Sequence, residues 1–181
     1  MLLGLVTVLP QAPAQAAGNV YGPYFLMNWN SVTGAAQCLA DPGASTGNNV
    51  QQILWNCGSS GQKFSNETAV TNTDYWTFNY ANGKCLAPQF SSYGAAIVQT
   101  GCTTATTGRW AYDKVRDSSN PICVTFPSTG VQHCTTLAFR IRNLNSGMCI
   151  ASQLDQVTAG TKLVQYYCDD RYTNVWLQFA A

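Results

Sequence analysis

Residues 139–179 read FRIRNLNSGMCIASQLDQVTAGTKLVQYYCDDRYTNVWLQF. The run opens with the alternation Phe139-Arg140-Ile141-Arg142, turns at Asn145-Ser146-Gly147 and continues as Cys149-Ile150-Ala151. A polar loop ending at Gly160 leads into Val164-Gln165-Tyr166-Tyr167-Cys168, and a second polar turn into Trp176-Leu177-Gln178-Phe179. Short aromatic and β-branched runs parted by turn residues predict four strands.

The same pattern occurs twice more upstream. The middle copy has Tyr75-Trp76-Thr77-Phe78-Asn79, a turn at Asn82-Gly83, Cys85-Leu86-Ala87, Val98-Gln99, Cys102 and Trp110-Ala111-Tyr112. The first has Tyr24-Phe25-Leu26-Met27-Asn28, Cys38-Leu39-Ala40, Val50-Gln51, Cys57 and Gln62-Lys63-Phe64. Asn79 and Asn143 stand six residues before their cysteines and Asn28 stands ten before Cys38. A period of roughly 45 residues decides the fold before any other signal does. The repeats run over 24–70, 71–120 and 137–181. No segment keeps a 3.6-residue apolar period, so almost no helix is expected. Twelve short strands in three equal groups predict a closed all-β body in which three units share one core. The expected core residues are Leu39, Leu86, Ile150, Val98, Val164, Trp110, Trp176 and Phe64.

Two stretches have no counterpart in the other copies. Residues 18–23 form an N-terminal arm. Residues 121–136 form an inserted hairpin with its turn at Pro127-Ser128-Thr129-Gly130. Both stand outside the threefold plan.

The chain has 181 residues, enough for one domain with a real core. Only 9% of them are charged, and the net charge is +1, which argues against nucleic-acid or membrane-surface binding. Eight cysteines point to an oxidising compartment. The repeat pairs Cys38 with Cys57, Cys85 with Cys102 and Cys149 with Cys168. Cys123 and Cys134 are left for each other. With no C-x-x-C pair and one histidine, no zinc or other metal site is expected, and no cofactor. Leu2–Leu9 is an apolar run followed by Ala14-Gln15-Ala16, which fits a small-residue cleavage site. Residues 1–17 are therefore expected to be a removed secretion signal, too short to insert as a transmembrane helix. The mature chain is expected to be secreted and extracellular.

At the repeated cysteines the chain resembles the ricin B-type β-trefoil lectins. That family carries, per repeat, a Cys-Leu, then a Val-Gln before a second cysteine, then a Gln-x-Trp. Here the first is Cys38-Leu39, Cys85-Leu86 and Cys149-Ile150. The last is Gln62-Lys63-Phe64, Gly108-Arg109-Trp110 and Asn174-Val175-Trp176. The resemblance implies a disulfide-stapled β-trefoil of three pseudo-threefold repeats over 24–181. Where sugar-binding members place an Asp after Cys-Leu, this chain has Ala40, Ala87 and Ala151.

A sugar site needs an aromatic face for the ring and planar donors and acceptors for its hydroxyls. The family sets its aromatic just before the second cysteine, where Trp55, Thr100 and Tyr166 stand. Repeat one adds Asp41, Asn56 and Gln62, and repeat three adds Asp155, Asp169 and Asn174. Repeat two has Gln99 with the loop aromatics Phe90 and Tyr93. Trp55 and Tyr166 also read as packing residues, and the carboxylates as loop caps.

Catalysis has little to work with. His133 is the single histidine, and Asp169 and Asp170 are adjacent, so their side chains point apart. Arg109, Lys114 and Arg116 lack the regularly interleaved aromatics of a nucleic-acid surface. The expected protein is not an enzyme. Two function classes remain: a secreted module binding glycans, or a degenerate trefoil binding a secreted protein as adaptor or inhibitor. In the second, the arm 18–23 and the inserted hairpin are the docking elements; Tyr21 and Tyr24 could anchor that arm in a partner's groove, but packing on the barrel end is the favoured reading for them.

Overall fold

The computed structural model describes residues 19–68, 74–102 and 106–181. The expected secretion signal (1–17) and the boundary between repeats one and two (70/71) lie outside the described residues.

Repeat one supplies β1 (Val20–Asn28), β2 (Gln37–Ala40), β3 (Val50–Gln51), β4 (Ile53–Asn56) and β5 (Phe64–Thr68). Repeat two supplies β6 (Tyr75–Asn79), β7 (Cys85–Pro88), β8 (Ile97–Thr100) and β9 (Arg109–Thr125). Repeat three supplies β10 (Gln132–Asn143), β11 (Cys149–Ser152), β12 (Leu163–Tyr166) and β13 (Val175–Ala180). The helical residues described are short 3-10 turns between strands.

Six strands close a ring, β1–β5–β6–β9–β10–β13 and back to β1, every pair antiparallel. Closure leaves this barrel without an exposed edge. Three hairpins, β2–β4, β7–β8 and β11–β12, form a second layer. They bond to one another, as in Leu54 N–H to Thr161 O (2.7 Å) and Gln165 N–H to Ala95 O (2.9 Å). This is a β-trefoil.

The threefold plan is written in its hydrogen bonds. Asn28, Asn79 and Asn143 are buried at the ends of β1, β6 and β10. Each side-chain oxygen accepts a backbone N–H two residues on, from Asn30, Ala81 and Asn145. Each amide then donates across to another segment, at Thr173 O, Gly61 O and Thr107 O. An Asx brace of this kind fixes the turn and fastens it to the preceding unit of the ring. The indoles of Trp110 and Trp176 likewise donate to Leu86 O and Ile150 O, each at 2.9 Å. Cys38–Cys57, Cys85–Cys102, Cys149–Cys168 and Cys123–Cys134 are disulfides.

The central core holds Leu39, Leu86, Ile150, Phe64, Trp110 and Trp176 with Leu26, Leu54, Ile97, Ile141 and Leu163. Val98 and Val164 were expected there and are not in it. They are buried but face the other side of their strands, because successive strand residues alternate. Ile97 and Leu163, one residue earlier, take the central places. Repeat one also departs from its expected register. Its cap strand is Ile53–Asn56, opposite β2, whereas Val50–Gln51 is a separate two-residue strand on β8.

The two stretches outside the repeat are built into the structure. Residues 20–23 belong to β1, with Val20 opposite Glu67 and Tyr21 opposite Asn66. The insertion extends the β9–β10 hairpin and folds onto the barrel. Phe126 is fully buried in a second core with Phe25, Met27, Val124, Leu177 and Phe179. His133 stacks on the Phe126 ring, centroids 4.0 Å apart. Ser128 N–H donates to Cys57 O at 3.2 Å, tying the hairpin tip to repeat one.

Candidate functional site

Trp55 on β4 is exposed, but the other three repeat-one residues do not join it in an open site. Asp41 is 2% exposed and turned inward. Its Oδ2 accepts from Asn82 Nδ2 at 3.4 Å, and its Oδ1 is a buried acceptor without a partner among the described residues. Burial pushes its carboxyl up to about 6, against a smaller opposing effect of Gln52. Gln62 is buried and braces the strand end. It donates to Trp55 O and Asn56 O and accepts from Ser59 N–H. The Asn56 side chain accepts from Gln37 Nε2 at 2.8 Å.

Repeat three is different. The β11–β12 turn passes through Leu154 and Asp155 at φ +54° and +57°, in the left-handed region that residues with a Cβ seldom occupy. The same left-handed pair recurs in repeat one at Gly43 and Ala44, φ +65° and +49°, so it belongs to the turn of the fold, and in repeat three it is Asp155 that this turn carries. Asp155 Oδ1 accepts from Thr173 Oγ1 at 2.7 Å, and its Oδ2 from Arg171 Nη1 at 3.3 Å. Asp169 Oδ2 accepts from Arg171 Nε at 2.8 Å. Its Oδ1 accepts from the Arg171 backbone N–H and from Asn174 Nδ2, at 3.1 and 3.0 Å. The Arg171 guanidinium lies 5.7 Å from the Tyr166 ring centroid. Asp155, Tyr166, Asp169 and Asn174 thus meet around one arginine.

Two of these four do not face solvent. Asn174 is 1% exposed and Tyr166 8%, so Tyr166 is not the free stacking face expected of it. Its ring is covered by neighbours: Tyr93 stacks on it with centroids 4.6 Å apart, and Arg171 lies over it. The open aromatic surface belongs instead to Tyr93 and Tyr167, whose centroids are 5.1 Å apart and which are 50% and 63% exposed.

Arg171 and Tyr167 are the residues sequence reading missed here, and Tyr93 was assigned to the second lobe instead of the third. The signal for Arg171 was a cation among Asp169, Asp170 and Asp155 in a chain with few charges. Tyr93 gave no such signal, because it comes from repeat two. In repeat one, the turn position matching Asp155, six residues past the first cysteine, is Ala44. That lobe has no acceptor there.

The basic residues near the end of repeat two do not act as one cluster. Arg109 pairs with Asp74 at 2.9 Å, while Arg116 lies over the Trp29 ring. Asp170 faces Arg140 at 3.1 Å, not Asp169, so the adjacent acids form no catalytic couple.

Solved structures share this architecture. The designed threefold-symmetric protein ThreeFoil superposes with a TM-score of 0.69 at 15% identity, over 87% of this chain and 99% of its own. An exo-β-1,3-galactanase from Clostridium thermocellum gives 0.71 at 16% identity, over 88% of this chain and 30% of its own. The Rhizoctonia solani agglutinin gives 0.64 at 12% identity, over 94% of this chain and all (100%) of its own. No protein-family model and no curated protein sequence matches the chain. What these similarities establish, at such identities, is the fold: a complete β-trefoil.

Proposed function

We propose that the chain is a secreted, non-catalytic carbohydrate-binding trefoil of the ricin B type, with its working site in the third lobe. The observation that carries this reading is the convergence of Asp155 and Asp169 on Arg171 beside the exposed rings of Tyr93 and Tyr167. The three charged side chains are each 42–45% exposed, so their remaining donors and acceptors reach solvent. Carboxylate oxygens accept from sugar hydroxyls, guanidinium N–H groups donate to ring and hydroxyl oxygens, and a tyrosine face covers the apolar side of a pyranose. Two carboxylates and one guanidinium leave a local charge of −1, which favours neutral over anionic glycans. Lectins among the structural neighbours, such as the Rhizoctonia solani agglutinin, fit this class. The four disulfides fit an extracellular site of action.

A glycan array with the purified protein tests the reading. Neutral glycans are expected to bind, and Asp155→Asn is expected to weaken the best of them at least tenfold. An array without signal, or Asp155→Asn binding as wild type does, overturns it. In the former case a secreted protein partner becomes the better account; in the latter the glycan sits away from the third lobe.

A further inference from the structure

Among the described residues, none fills the barrel end away from the three cap hairpins. A cavity of about 720 Å³ opens there. Its origin lies in the layer of side chains that should close the barrel. The first strand of each repeat contributes an aromatic ring, Tyr24, Tyr75 and Phe139. The last strand of each contributes Asn66, Tyr112 and Gln178, each two residues past Phe64, Trp110 and Trp176. Two of those three are amides where an apolar side chain would close the layer.

One layer further in, the repeat places Leu26, Thr77 and Ile141 at matching positions. Thr77 breaks the apolar pattern and holds Tyr112 in place. Its hydroxyl lies 2.8 Å from the Tyr112 hydroxyl, which in turn donates to Asn66 Oδ1 at 2.8 Å. The floor is therefore a fixed, hydrogen-bonded tyrosine. The wall is a chain of edge-to-face rings, Tyr75 against Tyr112 at 5.8 Å and Tyr112 against Phe139 at 5.6 Å. The rim carries Arg142 and Asp113, paired through two bonds of 2.6 and 3.0 Å. Asp74 at the edge is matched by Arg109. The charges are thus balanced in pairs, and the cavity presents no net charge to a ligand. The Tyr24 phenol and the Gln178 amide line it, and neither side chain hydrogen-bonds a described residue.

We propose that this barrel-end cavity binds an uncharged aromatic small molecule carrying a hydroxyl or amine, at a site separate from the third lobe. The volume lies within the 300–1,000 Å³ of small-molecule sites. Aromatic walls recognise a flat apolar ring by edge-to-face and offset contacts. The Tyr24 and Gln178 polar groups supply the orienting hydrogen bonds. A charged ligand would have to break the Arg142–Asp113 pair to be neutralised.

N-phenyl-1-naphthylamine, uncharged and brighter in apolar surroundings, is the probe. Titrated into the protein, it is expected to give saturable one-site fluorescence that 1-naphthol displaces. Gln178→Phe fills the mouth and is expected to weaken binding at least tenfold. No saturable signal, or a Gln178→Phe affinity within twofold of wild type, overturns the proposal. NMR contacts from the bound probe decide the matter independently of that variant's folding. Contacts to the Tyr24 and Phe139 rings support the site; contacts to Tyr93 or Tyr167 overturn it.

Discussion

The ring of Tyr93 lies flat on the ring of Tyr166, centroids 4.6 Å apart and planes 19° apart. The two belong to different repeats: Tyr93 to the loop between β7 and β8, Tyr166 to the end of β12. Two backbone bonds hold them in register, Gly94 N–H to Gln165 O and Gln165 N–H to Ala95 O, each 2.9 Å. The Gln165 amide adds bonds of 2.7 Å to Phe90 O and Ser92 O. The third lobe's aromatic surface is therefore assembled across a repeat boundary.

Tyr93→Ala removes the exposed ring and leaves the Tyr166 packing below it. Glycan binding is expected to fall at least tenfold, while Tyr93→Phe, which keeps the ring, stays within about threefold. Calorimetric titration with the best array ligand measures both. Stacking of this kind is worth about 0.5–1.5 kcal/mol beyond area burial. A Tyr93→Ala protein that binds normally would remove Tyr93 from the site.

Trp55 makes the contrasting case. It is 44% exposed, yet Asp41 is buried, Gln62 is spent on backbone carbonyls and Ala44 stands where the third lobe has Asp155. Trp55→Ala is expected to leave glycan binding unchanged and to shift stability by less than about 0.5 kcal/mol, as exposed substitutions do. A tenfold loss of binding in a folded Trp55→Ala protein would restore the first lobe as a site.

Phe126 carries the hairpin's contribution to the fold. It is fully buried, edge-on to Phe25 and Phe179 and stacked on His133. Phe126→Ala is expected to cost about 3–5 kcal/mol in urea unfolding, the usual range for a buried aromatic. A loss below about 1 kcal/mol would mean the hairpin is an appendage after all.

How far the sequence reaches can be traced residue by residue. The Asn28, Asn79 and Asn143 braces and the spaced cysteines made the threefold plan legible, because local turn chemistry repeats with the fold. The register of repeat one was not legible through its Val50-Gln51 dipeptide. Counting back from the second cysteine would have found it: Val98 and Val164 stand four before theirs, and so does Ile53, not Val50. The direction of Asp41 depends on the turn at Pro42-Gly43, where Gly43 sits at φ +65°. No spacing rule encodes which way such a turn faces. Tyr93 was invisible as a partner of Tyr166 because contacts between repeats leave no local pattern. The insertion's packing hid for the same reason: Phe126 reads as one apolar residue in a hairpin, and only the folded barrel supplies Phe25 and Phe179 against it.

Asp41 makes stability depend on pH in a direction opposite to most carboxylates. Its Oδ1 and Gln52 Oε1 are both buried acceptors without partners among the described residues. A protonated Asp41 adds the donor that this cluster lacks, and an ionised one adds a charge that burial disfavours. Its folded pKa, pushed up from 3.8 to about 6, exceeds its unfolded value. The folded state then holds the proton more tightly, so the stabilisation is complete below about pH 4. It is lost as pH rises through about 6 and stays lost above. Asp41→Asn supplies a permanent neutral donor. Relative to wild type it is expected to be neutral near pH 4 and more stable near pH 7.5, by on the order of 1–2 kcal/mol. That is less than the roughly 3 kcal/mol of the full shift at 1.36 kcal/mol per unit, because the site relaxes around the ionised carboxylate. Chemical denaturation of both proteins across pH 4–7.5 measures the difference directly, and common titrations elsewhere cancel between them. A stability difference that does not change with pH would show that Asp41 ionises freely in the folded protein.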